Sequence, residues 1–278
     1  MIKNDIIVLI PHYNDTKGLI TSIRSIDSSE EIDVLVVDDG SVIDNINENL
    51  IKENFTAKGN VIFIYLTKNK GIEYALNLGL KYILKENYKF VARLDTGDKC
   101  LDKRFKIQKE FLNNNKDIKL VGSHVRVNDI NGSFLYNLIV PIKSDNIKKK
   151  IFLTSTLIHP SIMFCLDIIE KVGFYPTIYK AAEDYAYYYK ILKYYNCSNI
   201  NLILVEKELN PNSISVKKRK IQALNRVRII VKNFYFGYYP IVGLLRNFIL
   251  YLIPNNILIR IKTYKQNVNK KTSTKKYF

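Results

Sequence analysis

With 278 residues, 47% of them apolar and 25% charged, the chain can bury a large core, and wholesale disorder is excluded. Three cysteines, Cys100, Cys165 and Cys197, are too few and too scattered for a disulfide framework and suit a reducing compartment. The net charge of +17 lies in the second half: residues 1–140 carry 19 Lys and Arg against 19 Asp and Glu, residues 141–278 carry 24 against 7, and no acid follows Glu208. A neutral half joined to a basic half points to an anionic surface, lipid headgroups or nucleic acid, facing the second. The first residues lack a basic segment followed by a long apolar run, so no secretion signal is expected.

In chain order, residues 6–10 (IIVLI) form a continuous apolar run closed by Pro11, as expected of a strand covered on both faces. Residues 16–26 have helical spacing. Residues 33–37 (DVLVV) predict a second buried strand, ended by Asp38-Asp39-Gly40-Ser41. A helix is expected over 45–54, a strand over 61–66, a helix over 72–85, and a fourth strand over 90–94, ended by Asp95-Thr96-Gly97-Asp98. This β-α-β-α-β-α-β pattern predicts an α/β fold: a Rossmann-like, mostly parallel sheet flanked by helices. Beyond it the spacing predicts a helix over 101–113, strands over 120–123 and 125–127, a turn at 131–133 and an amphipathic helix over 185–195.

Ligands of such sheets bind at the carboxyl ends of the strands. The polar clusters fall there: Pro11-His12-Tyr13-Asn14, Asp38-Asp39, and Asp95 with Asp98. Two carboxylates three residues apart on a turn suit a hard divalent cation, Mn2+ or Mg2+, which would neutralise a diphosphate; they equally suit an Asp-rich turn. A carboxylate at Asp39 would accept from a base or a ribose, or simply close a strand-to-helix turn. The amides at Lys70 and Gly71 open a helix and would receive phosphate or be capped. Arg93 reads as a phosphate ligand or as a partner for one of the acids. His159, next to Pro160, reads as a neighbour of phosphate or acceptor, or as a hydrogen-bonded interior histidine.

Six segments, in order over about residues 5–195, resemble family 2 glycosyltransferases: 6–14 (IIVLIPHYN), 34–41 (VLVVDDGS), 69–79 (NKGIEYALNLG), 93–98 (RLDTGD), 159–164 (HPSIMF) and 182–185 (AEDY). The resemblance implies a GT-A fold, with a nucleotide-binding half over 1–100 merged with an acceptor-binding half over 101–224, and transfer that inverts the anomeric centre. It implies that Pro11, Tyr13 and Asn14 line the nucleotide pocket, with Tyr13 stacking on the base and Asp39 reading its edge, most often uracil. Asp95 would hold ribose and the metal-bound diphosphate, and Asp98 the metal beside it. Asp184, with Glu183 next to it, would be the base that deprotonates the acceptor hydroxyl. The family commonly has Asp-x-Asp-Asp at the metal turn, whereas this chain has Gly97 in the third slot.

Residues 225–278 form a basic, aromatic extension. The run 241–253 (IVGLLRNFILYLI), interrupted by Arg246, is too short to span a bilayer and fits a helix lying in its interface. No nucleic-acid motif of known spacing accompanies the charge, so lipid is the expected partner and nucleic acid is not. The expectation is an inverting, metal-dependent transfer from a nucleotide-sugar, UDP-linked, to a glycan or lipid-linked acceptor in surface-polysaccharide assembly. The setting is the cytoplasm, peripheral on the inner face of the bacterial cell membrane. A nucleotidyltransferase would want a Gly-rich basic loop after the first strand, where this chain has Pro11-His12-Tyr13-Asn14. A non-catalytic binding protein of the same fold is favoured only by Gly97.

Overall fold

The apolar runs at 6–10 and 33–37 become strands β1 (Ile6–His12) and β2 (Asp33–Asp38), buried almost throughout. With β3 (Val61–Tyr65) and β4 (Phe90–Arg93) they form a parallel sheet in the order β3-β2-β1-β4. Helices α1 (Thr16–Arg24), α2 (Glu48–Glu53) and α3 (Ile72–Ile83) make the crossovers. Asp15 caps α1 by accepting from the Gly18 N–H at 3.0 Å, and Asn47 caps α2 from the Leu50 N–H at 3.1 Å, which explains where both helices begin. The computed structural model describes residues 4–209 and 217–253.

Alternate residues of β1 serve two cores. Ile7 and Leu9 pack with Ala75, Leu76 and Leu80 of α3, whereas Ile6, Val8 and Ile10 pack with Leu19 and Ile23 of α1. This period-two division is what a strand covered on both faces requires. Pro11 lies inside β1, not beyond it, and pairs in register with Val37. Its missing N–H costs no ladder bond towards β4, because that pairing stops at Leu9–Arg93.

The second half extends the same sheet. It contains β5 (Lys99–Cys100), α4 (Arg104–Asn114), β6 (Ile118–Asn128), β7 (Phe134–Leu138), α5 (Ser144–Lys150), a 3-10 turn (His159–Ser161), β8 (Met163–Cys165), α6 (Ile168–Val172), α7 (Glu183–Tyr194) and β9 (Asn196–Glu208). Helices α8 (Arg219–Lys232) and α9 (Tyr238–Leu252) follow. The full order is β3-β2-β1-β4-β8-β6-β9-β5, with β7 on β6. Strand β8 is antiparallel to β4 and β6, and β9 is parallel to β6. The sheet is therefore mixed, parallel through its first four strands and of both senses beyond.

Two expectations change here. The two short strands expected over 120–127 are one strand, β6, because Gly122 and Ser123 continue the ladder to β9. The helix expected from 185 starts at Glu183 and is buried on more than one face, since Tyr185, Tyr187, Tyr188 and Tyr189 are all covered. Residues 224 and 225 lie within α8, whose Ile229 and Ile230 belong to the core shared with α7. The tail at 254–278 lies outside the described residues.

Candidate active site

The carboxyl ends of β1 and β2 are organised by their own hydrogen bonds. His12 Nδ1 lies 2.7 Å from Asp38 Oδ1, and Asp38 also accepts from the Ser41 N–H at 2.8 Å and from its hydroxyl at 2.5 Å. Asn14, with φ +49°, accepts the N–H groups of Val42, Ile43 and Asp44 on one side-chain oxygen at 3.1, 3.1 and 3.3 Å. Asn14 thus shapes the loop after β2 with the atom that could otherwise meet a ligand. Gly40 has φ +70°, and a Cβ there would come within 2.4 Å of the Lys68 carbonyl carbon, so only glycine fits. Tyr13 is about half exposed at this edge and Pro11 half-buried.

Asp39 is buried, and its two oxygens accept the Lys70 and Gly71 N–H groups at 2.8 and 2.9 Å. The amides considered as phosphate receivers are therefore turned onto this carboxylate. Each Asp39 oxygen keeps a second lone pair for a ligand. Burial raises its pKa, against the pull of the two amides.

At the end of β4 the side chain of Arg93 is fully buried, and its guanidinium donates to Asp95 Oδ1 at 2.7 Å and to the Leu9 carbonyl. Arg93 Nε donates to His159 Nε2 at 3.4 Å, and the Tyr175 hydroxyl meets the same nitrogen at 3.0 Å. His159 is buried, and burial followed by the Arg93 charge depresses its pKa to about 4, so the imidazole is neutral near pH 7. Of its two readings the structure supports the interior, hydrogen-bonded histidine. Arg104 and Gln108 of α4 hold the carbonyls of Arg93 and Ser161 at 2.7 and 2.8 Å, tying the 3-10 turn to the strand end.

Asp95 keeps 26% of its side chain exposed. Burial would raise its pKa, but the charges of Arg93 and Lys207 outweigh that and hold it below the usual carboxylate range. Asp98 is deeper: Oδ1 accepts from the Glu208 N–H at 3.1 Å, while Oδ2 is buried with no hydrogen-bond partner. Burial pushes its pKa up to about 7, although Lys207 pulls it down. Gly97 lies between them with φ +91° and open space where a Cβ would stand.

Two further elements complete the cluster. Glu183 and Asp184 open α7, and Asp184 Oδ1 accepts from the Tyr185 N–H at 2.6 Å. Lys207, near the end of β9, stands 3.8 Å from Asp98 Oδ2 with 35% of its side chain exposed. Burial acts to lower its pKa, but Asp98, Asp95 and Asp184 together raise it, so it stays charged. The same field links Asp184 to His159. Arg93, Asp95, Asp98, His159, Asp184 and Lys207 thus form one electrostatic neighbourhood built from four separated stretches of chain. Sequence reasoning missed Lys207. The apolar run at 202–205 signals a strand, but nothing local gives the register that brings its end to Asp98.

Glu183 is buried with Oε2 unpartnered, and burial followed by the Asp184 charge raises its pKa to about 8 from an ordinary 4.5. Between those values an unfolded chain ionises the group while the folded chain keeps it protonated. Folding therefore loses about 1.4 kcal/mol per pH unit across that window and nothing more above it. Glu183→Gln removes this loss. Its melting temperature relative to the parent is expected to climb by several degrees between pH 5 and pH 8, at about 2–4 °C per kcal/mol. Parallel melting curves against pH for the two proteins would show that Glu183 is not held protonated.

The site is thus a group of acids and cations gathered at the strand ends of a mixed α/β sheet. Residues 7–173 match Glycosyl transferase family 2, and the chain belongs to that family. It is 32% identical over 179 residues to an uncharacterized glycosyltransferase of Rickettsia bellii, covering 64% of this chain and 25% of that protein. It is 30% identical over 148 residues to the O-antigen biosynthesis glycosyltransferase WbnJ of Escherichia coli, covering 53% of this chain and 55% of that one. The amylovoran biosynthesis glycosyltransferase AmsE of Erwinia amylovora is 27% identical over 132 residues, 48% of each chain. This chain therefore spans only a quarter to about half of these relatives. Among solved structures, Staphylococcus aureus TarS 1–349 in complex with UDP-GlcNAc superposes with a TM-score of 0.62 at 17% identity, over 87% of this chain and 72% of that one. Mannosyltransferase PcManGT from Pyrobaculum calidifontis, in complex with GDP-Man and Mn2+, gives 0.61 at 14% identity, over 94% and 73%. These likenesses establish the GT-A type fold.

Proposed function

We propose that the chain is an inverting glycosyltransferase that moves a sugar from a UDP-linked donor to a hydroxyl of a glycan or lipid-linked acceptor in surface-polysaccharide assembly. One observation carries the chemistry: Asp95, Asp184, Arg93 and Lys207 share one electrostatic neighbourhood at the carboxyl edge of the parallel strands. Family membership supports the reaction class. The TarS complexes with UDP and UDP-GlcNAc support a uridine donor. The names of the Escherichia coli and Erwinia amylovora relatives support the polysaccharide setting.

In this reading Tyr13 and Pro11 flank the base, Asp39 meets its edge through the free lone pairs, and Asn14 holds the loop that shapes the pocket. Lys70 and Gly71 act by fixing Asp39. Asp184 takes the proton of the acceptor hydroxyl, whose oxygen attacks the anomeric carbon opposite the diphosphate. The bond from that carbon to the diphosphate oxygen breaks, the nucleoside diphosphate leaves, and the centre inverts. Arg93 orients Asp95, and Lys207 meets charge developing on the leaving diphosphate. His159 acts through Arg93 rather than on phosphate.

A divalent cation, Mn2+ or Mg2+, would be held by Asp95 and Asp98. The donor chemistry fits, because both offer hard oxygens and Asp98 Oδ2 is buried without a hydrogen-bond partner. Among the described residues no third acid, histidine or cysteine joins them. Sites of this kind complete their coordination with substrate phosphate and water. Such a cation would supply charge neutralisation on the diphosphate. In the same reading the enzyme works in the cytoplasm on the inner face of the bacterial cell membrane, held there by the basic residues after 225.

The test is thermal stabilisation by UDP, GDP, dTDP and CDP with Mn2+ and then with EDTA. UDP at a hundred times its Kd is expected to stabilise the fold by about 2.7 kcal/mol, with EDTA abolishing the effect. Preference for another diphosphate refutes the base assignment at Asp39, and an effect indifferent to EDTA refutes the cation. No shift with any nucleotide refutes the donor site itself.

A further inference from the structure

Helix α9 is built inside out for a protein in water. Its inward side presents Pro240, Gly243 and Asn247, small or polar residues that are all buried. A Cβ at Gly243 would come within 2.3 Å of the Phe152 carbonyl oxygen, so the helix axis lies close against the domain. Arg246 reaches the Leu153 carbonyl at 2.6 Å, and Arg219 of α8 donates to the carbonyls of Leu250 and Ile253, which pins the far end. Tyr239 and Leu244 pack on the core at its edges.

The outward side carries the large apolar residues. Tyr238, Ile241, Leu245, Phe248 and Leu252 recur at helical spacing and are all exposed, Leu245 by 58% and Phe248 by 55%. Phe236, on the turn before the helix, is 94% exposed and touches Phe234 edge-on at 5.4 Å between ring centres. A continuous apolar stripe of this kind on a rigidly held helix marks a docking surface.

Charge selects the occupant. No acid follows Glu208, whereas 15 Lys and Arg do. A second copy, itself at +17, would bring cations to cations with no acid from this segment to pair them. No helix among the described residues is long and apolar enough to cross a bilayer. Tyr238 and Tyr251 add amphipathic rings suited to the headgroup level, the depth at which a flat helix lies. We infer that the outward face of α9, with Phe236 ahead of it, is an insertion face that lies flat in an anionic lipid surface, the flanking cations resting on headgroups. This deepens the membrane setting of the proposed function and names the face responsible.

The experiment is cosedimentation of the full chain with vesicles of phosphatidylcholine alone or mixed with phosphatidylglycerol, at low and high salt. The parent chain is expected to bind the mixed vesicles and to weaken as salt rises. The pair Leu245→Ser and Phe248→Ser should reduce binding at least tenfold. Phe236→Ser, on an exposed turn where it disturbs no packing against the core, should reduce it severalfold with an unchanged melting curve. No binding of the parent chain, or equal binding of parent and variants, overturns the inference. So does a parent chain that elutes at twice its mass and becomes monomeric in the variants, which assigns the face to a second copy. UDP-induced stabilisation of the same variants reports separately on the nucleotide site, so failure of the insertion face and failure of the transferase reading give different results.

Discussion

Asp184→Asn is expected to lower turnover by about a hundred- to ten-thousand-fold, the range for removing a positioned general base, with UDP affinity unchanged. The argument is one of reach. Asp184 and Glu183 both open α7, but Glu183 is buried and Asp184 is only partly covered. A base for an acceptor hydroxyl has to meet the acceptor, and the more accessible carboxylate can. Asp184 also projects its charge onto His159, Tyr175 and Lys207, within electrostatic range of the groups gathered at the strand ends. Glu183, kept protonated by burial and by Asp184, would have to lose its proton first and then gain access. Glu183→Gln should therefore cost less than tenfold in kcat at neutral pH. Steady-state kinetics on the two variants decide the matter. A large loss in Glu183→Gln with near-normal Asp184→Asn would move the base one residue back along the chain.

How far the sequence could be read depended on whether a residue's role is set locally. Strands β1 to β4 were legible because each is a short apolar run ended by a turn, and the parallel order follows from their helical crossovers. Strand β9 was not. Its thirteen residues mix Asn, Ser and charged side chains, and its pairing with β6 shifts register three times. Only the apolar run at 202–205 signals a strand, and nothing local gives its length or register. The helix expected over 185–195 is present as Glu183–Tyr194, but an amphipathic pattern does not convey that its tyrosines are buried around it, because tyrosine serves core and surface alike. The polar residues at the strand ends stood out by type and position. What each one does with its hydrogen bonds did not, as Asn14 and Asp39 show: the first is spent on three loop amides, and the second holds the two amides just ahead of α3. The apolar and basic make-up of α9 was visible in composition, whereas the direction of its apolar face required knowing that the glycine side packs inward.

Lys207→Met is expected to lower kcat/KM for the donor by about a hundredfold, the scale found when one donor to developing negative charge is removed. The expectation starts from Gly97. Where the family commonly supplies a carboxylate, this chain has a glycine with open space around it, so fewer oxygens are available to hold a cation. A permanent ammonium beside the same turn offsets that loss. Lys207 stands 3.8 Å from Asp98 Oδ2, beyond a good hydrogen bond, and stays partly exposed. It is held charged by three carboxylates, Asp98, Asp95 and Asp184. An incoming diphosphate would offer better acceptors at closer range. The alternative is that Lys207 only balances the charge of Asp98 and so secures the end of β9. The two roles separate in their readouts. A balancing residue, once removed, lowers the melting temperature and leaves donor KM and UDP stabilisation intact. A diphosphate ligand, once removed, raises donor KM, weakens UDP stabilisation and leaves acceptor KM unchanged, and Lys207→Arg should restore part of the loss because it keeps the charge in a different shape. Donor kinetics unchanged in Lys207→Met would end the diphosphate role and leave the cation at Asp95 and Asp98 as the sole counter-charge to be tested.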